Sequence, residues 1–105
     1  MSDDQDNKND QTLGPQTPQV TLYTTMLCPF CYQAKGLLQQ KGVSFEEIDV
    51  TMNSEKRAAM RDRAGGRNTV PQIFIGDVHV GGCDDLFALE HAGRLDLMLK
   101  AASET

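Results

Sequence analysis

The stretch that decides the fold is Val20-Thr21-Leu22-Tyr23-Thr24-Thr25-Met26-Leu27-Cys28-Pro29-Phe30-Cys31. Its first residues are rich in β-branched and large apolar side chains, a composition typical of a strand. Pro29 suits the first turn of a helix, because the N–H that proline lacks has no partner there. Gly42 suits the position just after a helix, where a left-handed backbone is common. The stretch therefore predicts a strand over residues 19–24, a short loop, and a helix that begins at the two cysteines and reaches Lys41.

Strands and helices continue to alternate along the rest of the chain. Strands are predicted over residues 43–50, 70–75 and 78–80, and helices over residues 55–64, 86–91 and 95–99. Asp84 or Asp85 is expected to cap the third helix. The order β-α-β-α-β-β-α-α is an α/β arrangement in which the first two strands, joined by a helix, are parallel with a right-handed crossover. The last two strands form a hairpin around Gly76-Asp77.

Apolar spacing predicts which face of each helix is buried. In the first helix these positions are Phe30, Ala34, Leu37, Leu38 and Lys41, and in the second they are Ala59, Met60 and Ala64. Each of these helices should therefore present one stripe to the sheet.

Length and composition limit the classes of function. The chain has 105 residues, of which 39% are hydrophobic, enough for one domain with a small packed core. The net charge is -5 and no basic run is present, which excludes the electrostatic footprint of a nucleic-acid-binding protein. Residues 1–18 are acidic, polar and broken by glycine and proline. They are predicted to form a disordered tail ahead of a domain over residues 19–105.

The compartment is predicted from what the sequence lacks. No stretch approaches the ~20 consecutive apolar residues that span a bilayer, and the N-terminus has no apolar segment of the signal-peptide kind. We therefore expect a cytoplasmic protein that binds no membrane, and separately we expect a monomer. In a reducing cytosol, a close pair of cysteines is catalytic or metal-binding more often than it is a structural disulfide.

Cys28 and Cys31 form a candidate redox centre. The N-terminus of a helix offers unpaired N–H donors and a partial positive charge, and both favour a thiolate at Cys28. Cys31 lies one turn further along, where it can attack a mixed disulfide formed at Cys28. Two alternatives stay open. One is half of a structural zinc site, for which only Cys83, His79 and His91 remain as further ligands, and the other is a pair of unreactive core cysteines.

Three motifs together resemble the dithiol glutaredoxin family, in particular its bacterial glutaredoxin 3 type. They are Cys28-Pro29-Phe30-Cys31, Thr69-Val70-Pro71 and Gly81-Gly82-Cys83-Asp84-Asp85, in that order along the chain. The resemblance implies a thioredoxin-like fold, a four-stranded mixed sheet flanked by helices. It also implies an enzyme, a glutathione-dependent thiol–disulfide oxidoreductase that reduces protein disulfides and protein–glutathione mixed disulfides.

The resemblance assigns roles to the matching residues. Cys28 would be the nucleophile and Cys31 the resolving thiol. Seven residues would bind glutathione, the co-substrate: Phe30, Arg67, Thr69, Val70, Pro71, Asp84 and Asp85. No tightly bound cofactor and no metal are expected.

Three parts of glutathione would meet different residues. The backbone of Val70, beside a cis Pro71, would pair with the cysteine portion as an added strand does. Asp84 and Asp85, at a helix N-terminus, would hold the γ-glutamyl end. Arg67 would meet the glycine carboxylate.

The implied partners are glutathione and disulfide-containing or glutathionylated proteins, including a reductase such as ribonucleotide reductase. The alternative function is a glutathione-ligated [2Fe–2S] cluster carrier or sensor. The resemblance disfavours it, because cluster carriers usually have Cys-Gly-Phe-Ser at this position. One departure concerns binding: Thr25 stands where many related proteins have a lysine, so we expect Arg67 to take a larger share of the ligand's negative charge.

Overall fold

The computed structural model describes residues 20–103, so the predicted disordered tail, residues 1–18, lies outside the described residues. The strands are β1 (Val20–Thr24), β2 (Phe45–Asp49), β3 (Gln72–Ile75) and β4 (Val78–Gly81). The helices are α1 (Pro29–Gln40), α2 (Ser54–Arg63), α3 (Cys83–His91) and α4 (Leu95–Ser103). The order of elements predicted from the sequence is confirmed. Among residues 20–103, no helix is both long and apolar enough to cross a membrane.

β1 lies inside the sheet and determines where the site forms. The strand order is β2-β1-β3-β4, with β1 and β2 parallel and the β1–β3 and β3–β4 pairs antiparallel. This is the four-stranded mixed sheet expected from the resemblance. Thr24 pairs with Asp49 and Tyr23 with Gln72, so the chain leaves β1 and β2 and enters β3 at one edge. The loop before Cys28 and the loop before Gln72 therefore meet at that edge.

Both faces of the sheet are covered. One face packs against α1, α3 and α4 through a buried cluster of Val20, Leu22, Ala34, Leu37, Leu38, Ile73, Ile75, Cys83, Leu86, Leu95 and Leu99. The other face packs against α2 through Tyr23, Val50, Met60, Ala64 and Phe74. Burying one such leucine or isoleucine side chain contributes about 1.5–3 kcal/mol relative to leaving it exposed. The two clusters hold β1 between helices, which makes it a rigid support for the loop that follows.

The buried faces of α1 and α2 differ from the prediction at two positions. Phe30 is 56% exposed, whereas Cys31 is only 2% exposed. Cys31 lies on the helix face that Ala34 and Leu38 also bury, whereas Phe30, about 100° away around the helix, falls outside this buried stripe. Ala59 was also predicted to be buried and is exposed, since Met60 takes the inward position on α2.

α3 begins earlier than predicted and is capped differently. Its first residue is Cys83 and its N-cap is Gly82. Asp84 and Asp85 lie in the first turn, so the prediction that one of them is the capping residue is wrong. Asp85 acts from inside the helix: its Oδ2 accepts a hydrogen bond of 2.9 Å from the backbone N–H of Gly82, as the acidic residue of a capping box does.

The second and third strands are shorter than predicted. β3 begins at Gln72 rather than at residue 70, because Pro71 has no N–H to donate within an inner strand. β2 covers Phe45–Asp49 rather than residues 43–50. The Val70–Pro71 peptide bond is cis, as the resemblance implied. Residues 69–71 are therefore a loop at the edge of the sheet where β1 ends.

Candidate active site

Cys28 occupies the N-cap of α1, directly after the loop that leaves β1. Its extended backbone (φ -105, ψ 106) directs the side chain over the first turn, and its Sγ accepts a hydrogen bond of 3.2 Å from the backbone N–H of Cys31. Pro29 fills the first helical position without leaving a donor unpaired. The N–H donor and the helix N-terminus both favour negative charge on the Cys28 sulfur.

Cys31 lies behind Cys28 and is more deeply buried. Burial, with a further contribution from the hydrogen bond to Cys28, raises the pKa of Cys31 to about 12. A backbone hydrogen bond from Thr25 and the charge of Lys35 act in the opposite direction on this pKa. Both cysteines are free thiols. Cys31 therefore stays protonated at neutral pH, and Cys28 is the sulfur available for the first attack.

A cleft of about 310 Å³ opens beside this helix start, at the lower end of the size range of small-ligand sites. All seven residues predicted to bind glutathione line it, together with two further residues. The lining consists of Phe30, Arg67, Thr69, Val70, Pro71, Gly82, Cys83, Asp84 and Asp85. The structure thus brings together residues from α1, from the loop before β3 and from the start of α3, which are separated by up to 55 positions in the sequence.

A buried polar network holds the loop before β3. Gln72 is fully buried, and its Nε2 donates hydrogen bonds to the backbone carbonyl of Thr69 (3.0 Å) and to the Thr69 hydroxyl (3.1 Å). Its Oε1 lies 2.7 Å from Nε2 of His79 on β4. Because the amide nitrogen faces Thr69, the amide oxygen accepts from the imidazole N–H. Gln72 was not predicted as a site residue. The one indication in the sequence was a single amide side chain beside the apolar residues of β3.

An ion pair crosses one side of the cleft. Arg67 Nη1 lies 3.3 Å from Asp85 Oδ2, and both side chains are half-exposed. The hydrogen bond from the Gly82 N–H, and to a lesser degree Arg67, lowers the pKa of Asp85, so this carboxylate is ionised at neutral pH. Asp84 is exposed beside it. The cleft therefore offers one guanidinium, two carboxylates and a helix N-terminus, a set that fits a ligand carrying both signs of charge.

Gly81 makes this ion pair sterically possible. Its φ is +117, in a region that L side chains rarely adopt, and a Cβ at this position would collide with the Asp85 carboxylate and the Arg67 guanidinium. The glycine therefore allows the backbone to turn from β4 into α3, and its lack of a side chain leaves room for the ion pair.

Cys83, the third thiol, lines the cleft but is poorly placed for chemistry. It is 6% exposed, and burial together with the charge of Asp84 raises its pKa. Its Sγ donates a weak hydrogen bond of 3.8 Å to the side-chain oxygen of Gln33. Despite its position at a helix start, Cys83 is a thiol at neutral pH.

The zinc alternative finds no set of ligands in residues 20–103. In this part of the chain, no three side chains of histidine, cysteine, aspartate or glutamate are close enough to hold one metal ion together.

The sequence is similar to known proteins over most of its length. A family model described as Glutaredoxin matches residues 20–80. The chain is 57% identical over 84 residues to a glutaredoxin of Pseudomonas aeruginosa, an alignment that covers 80% of this chain and 99% of that protein. It is 54% identical over 81 residues to glutaredoxin 3 of Escherichia coli, covering 77% of this chain and 96% of that protein.

A solved structure agrees at the level of the fold. The crystal structure of a buckwheat glutaredoxin–glutathione complex superposes with a TM-score of 0.73 at 28% identity. The superposition covers 81% of this chain and 79% of the buckwheat chain.

Proposed function

This chain belongs to the glutaredoxin family of thiol–disulfide oxidoreductases, and we propose that it uses glutathione to reduce protein–glutathione mixed disulfides and protein disulfides. One observation carries the proposal: Cys28 lies at the start of α1, and the cleft beside this helix start is lined by all seven predicted glutathione-binding residues, including Phe30 of the same helix. We expect the protein to act as a cytoplasmic monomer.

Glutathione carries two carboxylates and one ammonium group, and the cleft offers partners for each. The Arg67 guanidinium suits the glycine carboxylate, and the N–H groups at the start of α3 suit the γ-glutamyl carboxylate. Asp84, which is exposed in the first turn, suits the ammonium. Asp85 has a divided role, because it also binds Arg67 and the Gly82 N–H. Val70 lies two residues before the start of β3, and its backbone suits pairing with an extended ligand.

The first half-reaction is an exchange at Cys28. The thiolate attacks the glutathione sulfur of a mixed disulfide, a bond forms between the two sulfurs, and the substrate protein leaves as a thiolate that takes a proton from water. A second glutathione, as thiolate, then attacks the glutathione sulfur bound to Cys28. Oxidised glutathione leaves and the Cys28 thiolate is restored, so that each cycle consumes one free glutathione and converts the mixed disulfide into a protein thiol and oxidised glutathione.

Protein disulfides require the second cysteine. When Cys28 forms a mixed disulfide with a substrate protein, Cys31 attacks the Cys28 sulfur and releases the second substrate thiol. The Cys28–Cys31 disulfide that results is reduced by two glutathiones. The substrates of this route are proteins in which two cysteines become oxidised to a disulfide during the catalytic cycle. A reductase such as ribonucleotide reductase is one example.

Replacement of Cys31 separates the two routes. We expect Cys31→Ser to keep the reduction of a glutathionylated peptide by glutathione, because that cycle needs only Cys28. It should lose at least about 90% of protein-disulfide reduction, since a serine hydroxyl is not a nucleophile toward disulfides at neutral pH. Both rates are measured with glutathione reductase and NADPH as the coupled readout. Equal loss of both rates, or loss of neither, would contradict the assignment of Cys31 as the resolving thiol.

Gln72 offers a test of the cleft rather than of the cysteines. We expect Gln72→Met, a substitution of similar volume, to lower the free energy of unfolding by about 1–3 kcal/mol because it leaves Thr69 and His79 without a buried partner. It should also raise the KM for a glutathionylated peptide severalfold while kcat changes less than twofold, because the loop loses its anchor but Cys28 does not. Gln40→Met, on the exposed side of α1, is the matched control. An unchanged KM in a folded Gln72→Met protein would show that Gln72 does not position the loop.

A [2Fe–2S] cluster held between two subunits by Cys28 and glutathione is the alternative use of the same thiolate. Visible absorption by protein purified without oxygen in the presence of glutathione tests it, and a spectrum without cluster bands would remove it.

A further inference from the structure

A hydrogen-bonded network joins three elements beside the cysteine pair. The hydroxyl of Thr24, the last residue of β1, donates to Glu47 Oε2 on β2 at 2.7 Å. Lys35 Nζ on α1 donates to both oxygens of the same carboxylate, at 3.0 and 3.2 Å. Thr24 is buried, and the Lys35 side chain is only 21% exposed. The lysine is therefore held in one place instead of sampling solvent.

The held ammonium lies on the Cys31 side of α1. Lys35 follows Cys31 by four residues, so the two side chains lie on neighbouring turns of one helix face. Its Nζ also sits 4.8 Å from the centre of the Tyr32 ring, which limits its movement on the outer side. The positive charge of Lys35 acts to lower the pKa of Cys31, in opposition to the larger effect of burial, which raises it. Thr25, the neighbour of Thr24, contacts the same thiol through its backbone.

We propose that Lys35, held by Glu47 and Thr24, is a positioning residue for the resolving step, in which its ammonium stabilises negative charge on the Cys31 sulfur as that sulfur attacks. The inference rests on the proposed function. It concerns only the step that Cys31 performs, and it gives Lys35 no contact with the cleft that binds glutathione.

The resolving step exchanges one disulfide for another. Cys31 loses its proton, its sulfur forms a bond to Cys28 Sγ, and the bond between Cys28 Sγ and glutathione breaks. Glutathione leaves as a thiolate and takes up one proton, so the net result is one enzyme disulfide and one glutathione thiol. Negative charge must therefore appear on a sulfur that is 2% exposed, where water stabilises it poorly and a fixed cation is most effective.

The expected effect follows from thiol reactivity. For each unit by which the pKa of the attacking thiol rises, the thiolate fraction falls tenfold while its nucleophilicity rises about threefold, so the net rate falls about threefold. We therefore expect Lys35→Met to raise this pKa and to slow the resolving step, by about threefold for each unit that the pKa rises. Lys35→Arg, which keeps the charge and can still bind Glu47, should restore at least half of the wild-type rate.

Lys41 supplies the matched control. It follows α1 directly as the C-cap residue and pairs with two carboxylates, Glu90 at 2.7 Å and Asp96 at 2.9 Å, with a side-chain exposure of 18%. It is ten residues from Cys31, so its charge should not assist the thiol. If the effect of Lys35→Met came only from the loss of an ion pair, Lys41→Met would slow the resolving step equally.

The experiment is a single turnover of the reduced full chain with oxidised glutathione, quenched in acid and analysed by mass spectrometry. The glutathione adduct on Cys28 should form at the same rate in all variants, and its conversion to the Cys28–Cys31 disulfide should be slow in Lys35→Met alone. Adduct conversion at the wild-type rate in Lys35→Met, or slowing in Lys35→Arg or Lys41→Met to the same extent, overturns the inference. If no adduct forms even in the wild type, the proposed function fails first.

Discussion

Cys28→Ser should reduce the turnover of a glutathionylated peptide by at least about 10³-fold. For comparison, removal of the nucleophile of a protease lowers kcat by roughly 10⁶-fold. Neither remaining thiol can substitute, because Cys31 and Cys83 are more deeply buried than Cys28, 2% and 6% exposed against 9%, and burial raises the pKa of each. The measurement is the glutathione-coupled assay, with the adduct followed by mass spectrometry.

The fold supplies an internal control for this substitution. Cys28 is the N-cap of α1, and serine is among the preferred N-cap residues. The variant should therefore unfold at the wild-type denaturant concentration or slightly above it, so a lost activity cannot be ascribed to a lost fold. Activity close to wild type would remove Cys28 from the mechanism and with it the proposed reaction.

Gly81→Ala should impair both stability and ligand binding. An alanine forced to a φ near that of Gly81 costs about 1–3 kcal/mol, and displacing the Asp85 carboxylate from the Gly82 N–H costs about 1 kcal/mol more. Arg67 loses its partner in the same movement. We expect the KM for a glutathionylated peptide to rise about tenfold, the equivalent of one weakened charge-assisted hydrogen bond, while the first exchange at Cys28 stays intact at saturating substrate.

Gly36→Ala is the matched control for that prediction. Gly36 lies inside α1 and a Cβ there would meet no atom within 4 Å. The same chemical change should raise the free energy of unfolding by up to about 1 kcal/mol through helix propensity. A Gly81→Ala protein as stable as wild type, with an unchanged KM, would show that the turn into α3 can relax without moving Asp85 and Arg67.

The elements and their order followed from local patterns, and so were predictable. A β-branched run before Pro29, a glycine after the first helix and a Gly-Asp turn between two apolar runs each act within a few residues. The buried face of α1 was predicted less well, because the spacing of Phe30 fits the apolar stripe and only packing in the folded domain decides that Cys31 turns inward and Phe30 outward. The cap of α3 was misassigned for a related reason, since Asp85 fits an N-cap and an N3 position equally well in sequence.

The residues of the cleft were predicted from resemblance, whereas their mutual geometry was not predictable. Thr24 and Glu47 are 23 residues apart, and Arg67 and Asp85 are 18 apart. Such contacts depend on strand register and on helix rotation, which hydrophobic periodicity does not specify. Gln72 shows the limit most clearly: an amide beside an apolar strand gives no indication of its partners until Thr69 and His79 are placed around it.

The placement of β1 also puts the reactive cysteine and the start of the folded domain at opposite ends of this strand. Cys28 follows the carboxyl end of this strand, whereas Val20 stands at its amino end and pairs with Ile75 beside the hairpin turn. Five strand residues place about 13–17 Å of rigid, buried backbone between them. A fluorescent protein fused directly before Val20 would therefore join the domain at the end of β1 opposite Cys28, which makes this end suitable for attaching a partner that must leave the cleft open.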